Sequence, residues 1–249
     1  VAILGHHGRR NLGDEALVEA LVAGIRQRAP GVELVGLSMD PLDSAQRLHI
    51  ECHAVRYDAR PLPDLTTRES PTRIFGPRMA ALRACLRWLP RAAALIASMP
   101  TRVAYLFRCQ RLMRGMDLLI VAGSNQLLDQ FGGAWGYPFT LWRWTIQARL
   151  AGTRVAYASV GAGPVSGALS VRLLQQALGL SRYVSVRDEQ SAEFVRTHLR
   201  TADPLVYPDL AFGHSEFHLA DLATTQDRRY ALIAFNVMPV DDPRYWPNA

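Results

Sequence analysis

Cysteine is scarce in this chain: Cys52, Cys85 and Cys109 are odd in number and widely spaced. They form no metal-binding spacing and no disulfide framework, so a reducing compartment is the natural setting. No HExxH or other metal-ligand spacing occurs, and no metal site is expected. The glycines spell neither G-x-G-x-x-G nor a Walker A loop, so neither dinucleotide nor P-loop chemistry follows. Zinc-finger spacing, an aromatic–basic RNA motif and a long basic tail are all missing, which makes nucleic acid the least favoured partner. The apolar stretch 92–99 is too short to span a bilayer and lies between Pro90 and Pro100. Neither an internal repeat nor a signal peptide is visible. The chain opens at Val1 inside an apparent strand and stops at Ala249 just after another, so both ends read as cut.

What remains is a chain of 249 residues, 49% hydrophobic, enough for one large domain or one domain with part of a second. Its formal net charge of +6 comes from arginine. Such a balance suits anionic ligands or an acidic membrane surface. A coding bias toward arginine would give the same excess.

Strand candidates alternate with helix candidates. The strands are Val1–Leu4, Val32–Leu37, Cys52–Tyr57, Leu118–Val121, Arg154–Val160, Tyr183–Val186 and Leu205–Tyr207. The helices are Glu15–Arg28, Ser44–His49, Pro138–Ala151, Leu169–Leu180 and Ser191–Leu199. The alternation predicts an α/β fold with a doubly wound parallel sheet, whose ligands sit beyond the carboxyl ends of the strands. Polar residues 213–228 read as a linker after a first lobe spanning 1–212. Residues 229–249 read as the start of a truncated second lobe. Between Pro77 and Arg114 leucines and arginines segregate to different faces, with a second arginine-rich helix at Arg102–Arg114. That pattern fits contact with anionic lipid, or equally an ordinary helix pair with a solvated basic face.

Four turns follow strands and carry chemistry. Gly5-His6-His7-Gly8 leads to Asn11 and to Asp14, a candidate helix cap. Glycine lets backbone N–H groups approach a ligand, and a helix N-terminus favours an anion. A tight turn that binds nothing is the plain alternative. His6 and His7 are candidate acid–base groups, since an imidazole titrates near neutrality. Ser124 and Asn125 can bond a sugar hydroxyl or a phosphate, with Gln126 and Asp129 doing so from the start of a helix; an Asx turn explains them equally. Gly161 and Gly163 follow the longest strand. Arg187 can clamp a carboxylate or phosphate, with Asp188 and Glu189 beside it as further acid–base candidates. An Arg–Asp pair at a helix cap would also account for this trio. The aromatic loop 131–138 is a possible sugar-stacking lip or a buried loop.

In this order, Gly5-His6-His7-Gly8 with Asn11-Leu12-Gly13-Asp14-Glu15, then 122–129, 159–164 and 184–191, resemble the polysaccharide pyruvyl transferase family. Asp209-Leu210-Ala211-Phe212 resembles its D-x-A-F box, and 233–237 the strand that opens its second half. The middle box departs from the family's common G-G-G form, reading Ala122-Gly123-Ser124. The resemblance implies the N-terminal lobe of a two-lobed, Rossmann-like glycosyltransferase-B architecture. It implies transfer of pyruvate from phosphoenolpyruvate to a sugar hydroxyl pair as a ketal, in cell-surface polysaccharide synthesis. No cofactor is implied beyond that donor substrate. The implied catalytic candidates are His6, His7, Asp188 and Glu189. The implied binding set is Gly8, Asn11, Asp14, Ser124, Asn125, Gly161, Gly163 and Arg187. The setting would be cytoplasmic, with an acceptor that is lipid-linked in the membrane-contact version. A nucleotide-sugar-dependent glycosyltransferase and a non-catalytic assembly partner remain open alternatives.

Overall fold

The computed structural model describes residues 1–8, 11–57, 97–200 and 203–213. In chain order it contains β1 (Ala2–Leu4), α1 (Leu12–Arg28), β2 (Val35–Ser38), α2 (Pro41–Leu48), β3 (Glu51–Ala54) and α3 (97–114). There follow β4 (Leu118–Ala122), β5 (Asn125–Leu127), a 3-10 turn (Gly133–Trp135), α4 (Tyr137–Ala151), β6 (Arg154–Ala162) and α5 (Ala168–Gly179). The last elements are β7 (Tyr183–Val186), α6 (Glu189–Phe194) running into a π turn (Val195–Leu199), β8 (Leu205–Val206) and a 3-10 turn (Leu210–Gly213). The expected linker beyond Gly213, the second lobe and the basic stretch 77–91 lie outside the described residues.

Seven strands lie in the order β3-β2-β1-β4-β6-β7-β8, and β5 pairs with β6 off this path. Every pairing is parallel. The strand order reverses between β1 and β4, as in a Rossmann-like doubly wound sheet. All carboxyl ends therefore share one edge, where the turns singled out in the sequence lie.

Strand periodicity divides the core. Ala2 and Leu4 join a cluster with Leu37, Leu119, Val121, Trp144 and Tyr157 on one face of the sheet. Ile3 turns to the other face, against Val18, Val22, Leu34 and Leu48. Because both faces are covered, β1 reads as a continuous apolar run rather than an alternating one. Two buried polar side chains on the larger face find partners: the Trp144 indole N–H donates to the Val55 carbonyl at 2.8 Å, and Tyr157 and Thr145 share a hydroxyl bond of 3.0 Å.

Several boundaries differ from the sequence expectation for local reasons. Helix α1 starts at Leu12, because Asn11 is its cap: the side chain accepts from the Gly13 N–H. Asp14 instead lies in the first turn. Helix α2 starts at Pro41 because Asp40 accepts from the N–H groups of Leu42 and Asp43. Asn125–Leu127 is a short strand, where a cap and a helix start were expected.

Trp144 is fully buried beneath β6, whereas Leu150 on the same helix is exposed. Trp144→Ala should lower the unfolding free energy by about 3–5 kcal/mol. Leu150→Ala should change it by less than about 0.5 kcal/mol. Urea titrations of both variants check the pair, and similar losses would mean the core is placed wrongly.

Candidate functional site

The edge carries two clusters. The first is built on the turn after β1. His6 is half-buried, and its Nδ1 lies 3.3 Å from Oδ2 of Asp14. The same carboxylate oxygen accepts from Nδ2 of Asn11 at 2.8 Å. Asn11 thus caps α1 through its oxygen and steadies Asp14 through its nitrogen. The His6 ring meets Tyr137 edge-on, with centroids 5.0 Å apart. Arg56 covers Tyr137 at 5.0 Å from its centroid, and its Nε donates to the Thr140 hydroxyl at 3.0 Å. Sequence spacing gave no sign of Arg56, which lies far from both partners along the chain.

His7 points the other way and is fully buried. Neither ring nitrogen has a hydrogen-bond partner among the described residues. Burial pushes its imidazole down to about 4, with His6 lowering it further and Asp14 and Asp43 opposing. Gly5 is required beside it, since a Cβ there would sit 2.7 Å from the His7 Nδ1. His7 is held neutral inside the protein and offers no surface to a substrate.

The second cluster gathers at the end of β6. Asn125 pairs with Gly161 in the β5–β6 ladder. A Cβ at Gly161 would lie 2.9 Å from the Asn125 Oδ1 and 3.0 Å from the Arg187 guanidinium carbon. At Gly163 it would lie 3.4 Å from the Asn125 Nδ2. The two glycines therefore clear the space that the Asn125 amide and the Arg187 guanidinium occupy. Arg187 Nε donates to Asp188 at 3.1 Å, and one Nη lies 3.9 Å from Asp209. Asp188 uses its other oxygen to accept the Ser191 N–H at 2.7 Å, capping α6. Partial burial would raise its pKa, but the bonds from Ser191 and Arg187 outweigh this and hold it below the usual carboxylate value. Glu189 points away and pairs with Arg196 at 2.8 Å on an exposed network with Asp203.

The backbone N–H groups that the glycine turns promised to an anion are spent internally. The Gly8 N–H donates to Glu15 at 2.8 Å. Gly8 has φ of +86°, and a Cβ there would come within 2.5 Å of the Asp40 nitrogen, so close backbone approach explains this glycine. The Gly161 and Gly163 N–H groups bond the carbonyls of Ser124 and Leu127. Ahead of α5, the N–H groups of Ser166 and Gly167 are taken by Asp129 at 3.1 and 2.9 Å. Desolvation of Asp129 is outweighed by these bonds, and its carboxyl is held below the ordinary value. Ser124, with φ of +59°, is buried in the turn that Gln126 fastens through the Ala122 carbonyl. Asn125, Arg187 and His6 keep part of their surface exposed. No cluster of three His, Cys, Asp or Glu suited to a metal occurs among the described residues. A mainly apolar groove lined by Leu21, Ile25 and Leu210 lies toward the far end of α1 from His6.

A model of the polysaccharide pyruvyl transferase family matches residues 11–246. The chain belongs to this family. No match was found among curated proteins or among solved structures. The two clusters place a carboxylate-held imidazole and a guanidinium on the same sheet edge. The D-x-A-F box supplies Asp209, the second acid facing Arg187, which the sequence motif had marked without a role.

The state of His7 has a sign that can be checked. Its folded pKa of about 4 lies below the unfolded value of 6.5, so folding favours the neutral ring. Its contribution is complete above about pH 6.5 and is lost as the pH falls toward 4. Between pH 7.5 and 5 the protein should lose about 2 kcal/mol more stability than a His7→Gln variant. Urea unfolding at both pH values measures the difference, and parallel losses would place His7 in solvent.

Proposed function

We propose that this protein transfers the pyruvyl group of phosphoenolpyruvate to a pair of hydroxyls on a saccharide, during synthesis of a cell-surface polysaccharide. Family membership over residues 11–246 carries the reading. The residues at the edge suit the chemistry. A sugar hydroxyl adds to C2 of the donor while C3 accepts a proton and becomes a methyl group. Phosphate then leaves, and the second hydroxyl closes the ketal, its proton passing to solvent or to the departing phosphate. The net products are the ketal and inorganic phosphate.

His6 is the acid–base group in this proposal. Asp14 opposite Nδ1 favours the tautomer with its proton on that nitrogen and leaves Nε2 to exchange protons with substrate. Arg187 receives the donor carboxylate or phosphate. Asp188 holds Nε and fixes the fork, so the Nη atoms face the ligand. Asn125 binds an oxygen of donor or acceptor. Asn11 and Asp14 position His6, while Gly8, Gly161, Gly163 and Ser124 shape the turns. The remaining charge and the other wall of the cleft come from a second lobe carried by later residues, with 213–228 as linker.

The acceptor is proposed to be lipid-linked and met at the cytoplasmic leaflet. No helix among the described residues is long and apolar enough to cross a membrane. Helix α3 does expose Met99, Val103, Leu106 and Phe107, and residues 97–114 contain arginines but no acid. Arg108, Arg111 and Arg114 have no ion-pair partner among the described residues. Such a face suits anionic lipid. The protein should co-sediment with phosphatidylglycerol vesicles and not with phosphatidylcholine vesicles; equal, negligible sedimentation with both would make α3 a solvated face.

Donor identity separates the readings. Calorimetric titration of the intact protein should show phosphoenolpyruvate binding, which Arg187→Ala weakens by about 2–4 kcal/mol and Arg187→Lys restores in part. Binding of a nucleotide sugar instead would favour a glycosyltransferase, and binding of neither a non-catalytic partner. In turnover, His6→Gln should lower kcat by about 10²–10⁴-fold with little change in donor affinity. Unchanged kcat would remove His6 from the chemistry.

A further inference from the structure

The loop between β5 and α4 holds large aromatic side chains on the surface. Trp135 is 71% exposed and Phe131 40%. Phe139 continues the row at 5.2 Å from the Trp135 centroid, and Trp142 stands 5.8 Å beyond Phe139. The Trp142 indole is fixed by a 2.7 Å bond to Gln176. Gly132 and Gly133 have φ of +87° and +58°, which favours glycine at both positions. A Cβ at Gly136 would collide with the Phe131 carbonyl. The Gly133 N–H is anchored on the Asp129 carbonyl at 3.0 Å, and the Gly136 N–H on the Gly133 carbonyl at 3.0 Å. Trp135 is thus carried, exposed, on a turn set by glycine conformations and backbone hydrogen bonds.

The turn also has a fixed place relative to the site. Two residues beyond Trp135, Tyr137 packs edge-on against His6. Residues 130–142 contain no acidic or basic side chain, and Arg56 lies on the Tyr137 side at 5.0 Å from its centroid, so the row of Trp135 and Phe139 suits an uncharged ligand. A pyranose ring offers such a partner, because its axial C–H bonds form an apolar face while its hydroxyls stay in water. We infer that Trp135, with Phe139 beside it, is a stacking platform for a neutral hexopyranose of the acceptor. The inference rests on the pyruvyl-transfer reading for its class of ligand, but stacking itself does not require the donor to be phosphoenolpyruvate.

The test is affinity electrophoresis of the full chain through gels cast with β-galactan, α-mannan or dextran. At least one glycan should retard the wild type. Trp135→Ala should weaken that retardation about tenfold, Trp135→Phe should keep part of it, and Leu150→Ala, also exposed, should keep all of it. Phosphoenolpyruvate titration of Trp135→Ala should match wild type, which separates this platform from the donor site. If the donor fails to bind while the glycan retardation still depends on Trp135, the donor reading falls and the platform stands. Retardation by none of the three glycans, or retardation unchanged in Trp135→Ala, overturns the platform. Sedimentation showing a wild-type dimer that Trp135→Ala dissociates would overturn it in favour of contact between copies.

Discussion

The arrangement depends on β6. Its nine residues pair with β4 from Arg154 to Ala158, with β7 from Ala156 to Val160, and with β5 at Gly161 and Ala162. Other strands in the sheet serve at most two neighbours, whereas β6 holds three. Its first half is locked by Val155 and Tyr157 in the larger core cluster. Near its end, Gly161 lies against both the Asn125 amide and the Arg187 guanidinium. A one-residue slip of β6 would reverse the face of each of its side chains, which the buried core forbids. Core packing thereby fixes where the polar edge residues meet.

Charge at that edge is arranged for restraint as well as attraction. Arg187 faces Asp188 and Asp209, so the guanidinium is oriented and partly neutralised before any ligand arrives. An anion must compete with Asp209 at 3.9 Å, a distance too long for a hydrogen bond. Glu15 and Asp129 fill the N–H groups that in other sheets receive phosphate. The turns are made rigid from within, and in the proposed function anion recognition falls to side chains rather than to the backbone.

The fold was largely legible in the sequence. Apolar runs such as Ala2-Ile3-Leu4 are bounded by glycine turns and alternate with helical segments, and all seven expected strands are present, Tyr183–Val186 with the expected bounds and the other six with shifted ends. Boundaries moved where a cap outweighed periodicity, as Asn11 and Asp40 show. The three-residue β5 escaped notice because its pairing depends on β6, 34 or more residues later. Site residues were visible as types at strand ends, but their roles were not. Adjacent histidines look alike in sequence, yet His6 meets Asp14 and His7 is sealed in the core. Adjacent acids part in the same way: Asp188 caps a helix, and Glu189 joins a surface network. Such differences follow from which way one backbone step turns a side chain, and no local pattern encodes that.

The central claim is that β6 shapes an anion site by leaving Gly161 bare beneath Arg187. Substituting Gly161→Ala puts a methyl group 3.0 Å from the guanidinium and 2.9 Å from the Asn125 oxygen, moving both while leaving the core untouched. Calorimetric titration of the intact Gly161→Ala protein with phosphoenolpyruvate is the most direct measurement. The account predicts a loss of affinity of about tenfold or more, with an unfolding midpoint near that of the wild type. Wild-type affinity in a folded Gly161→Ala protein would contradict it.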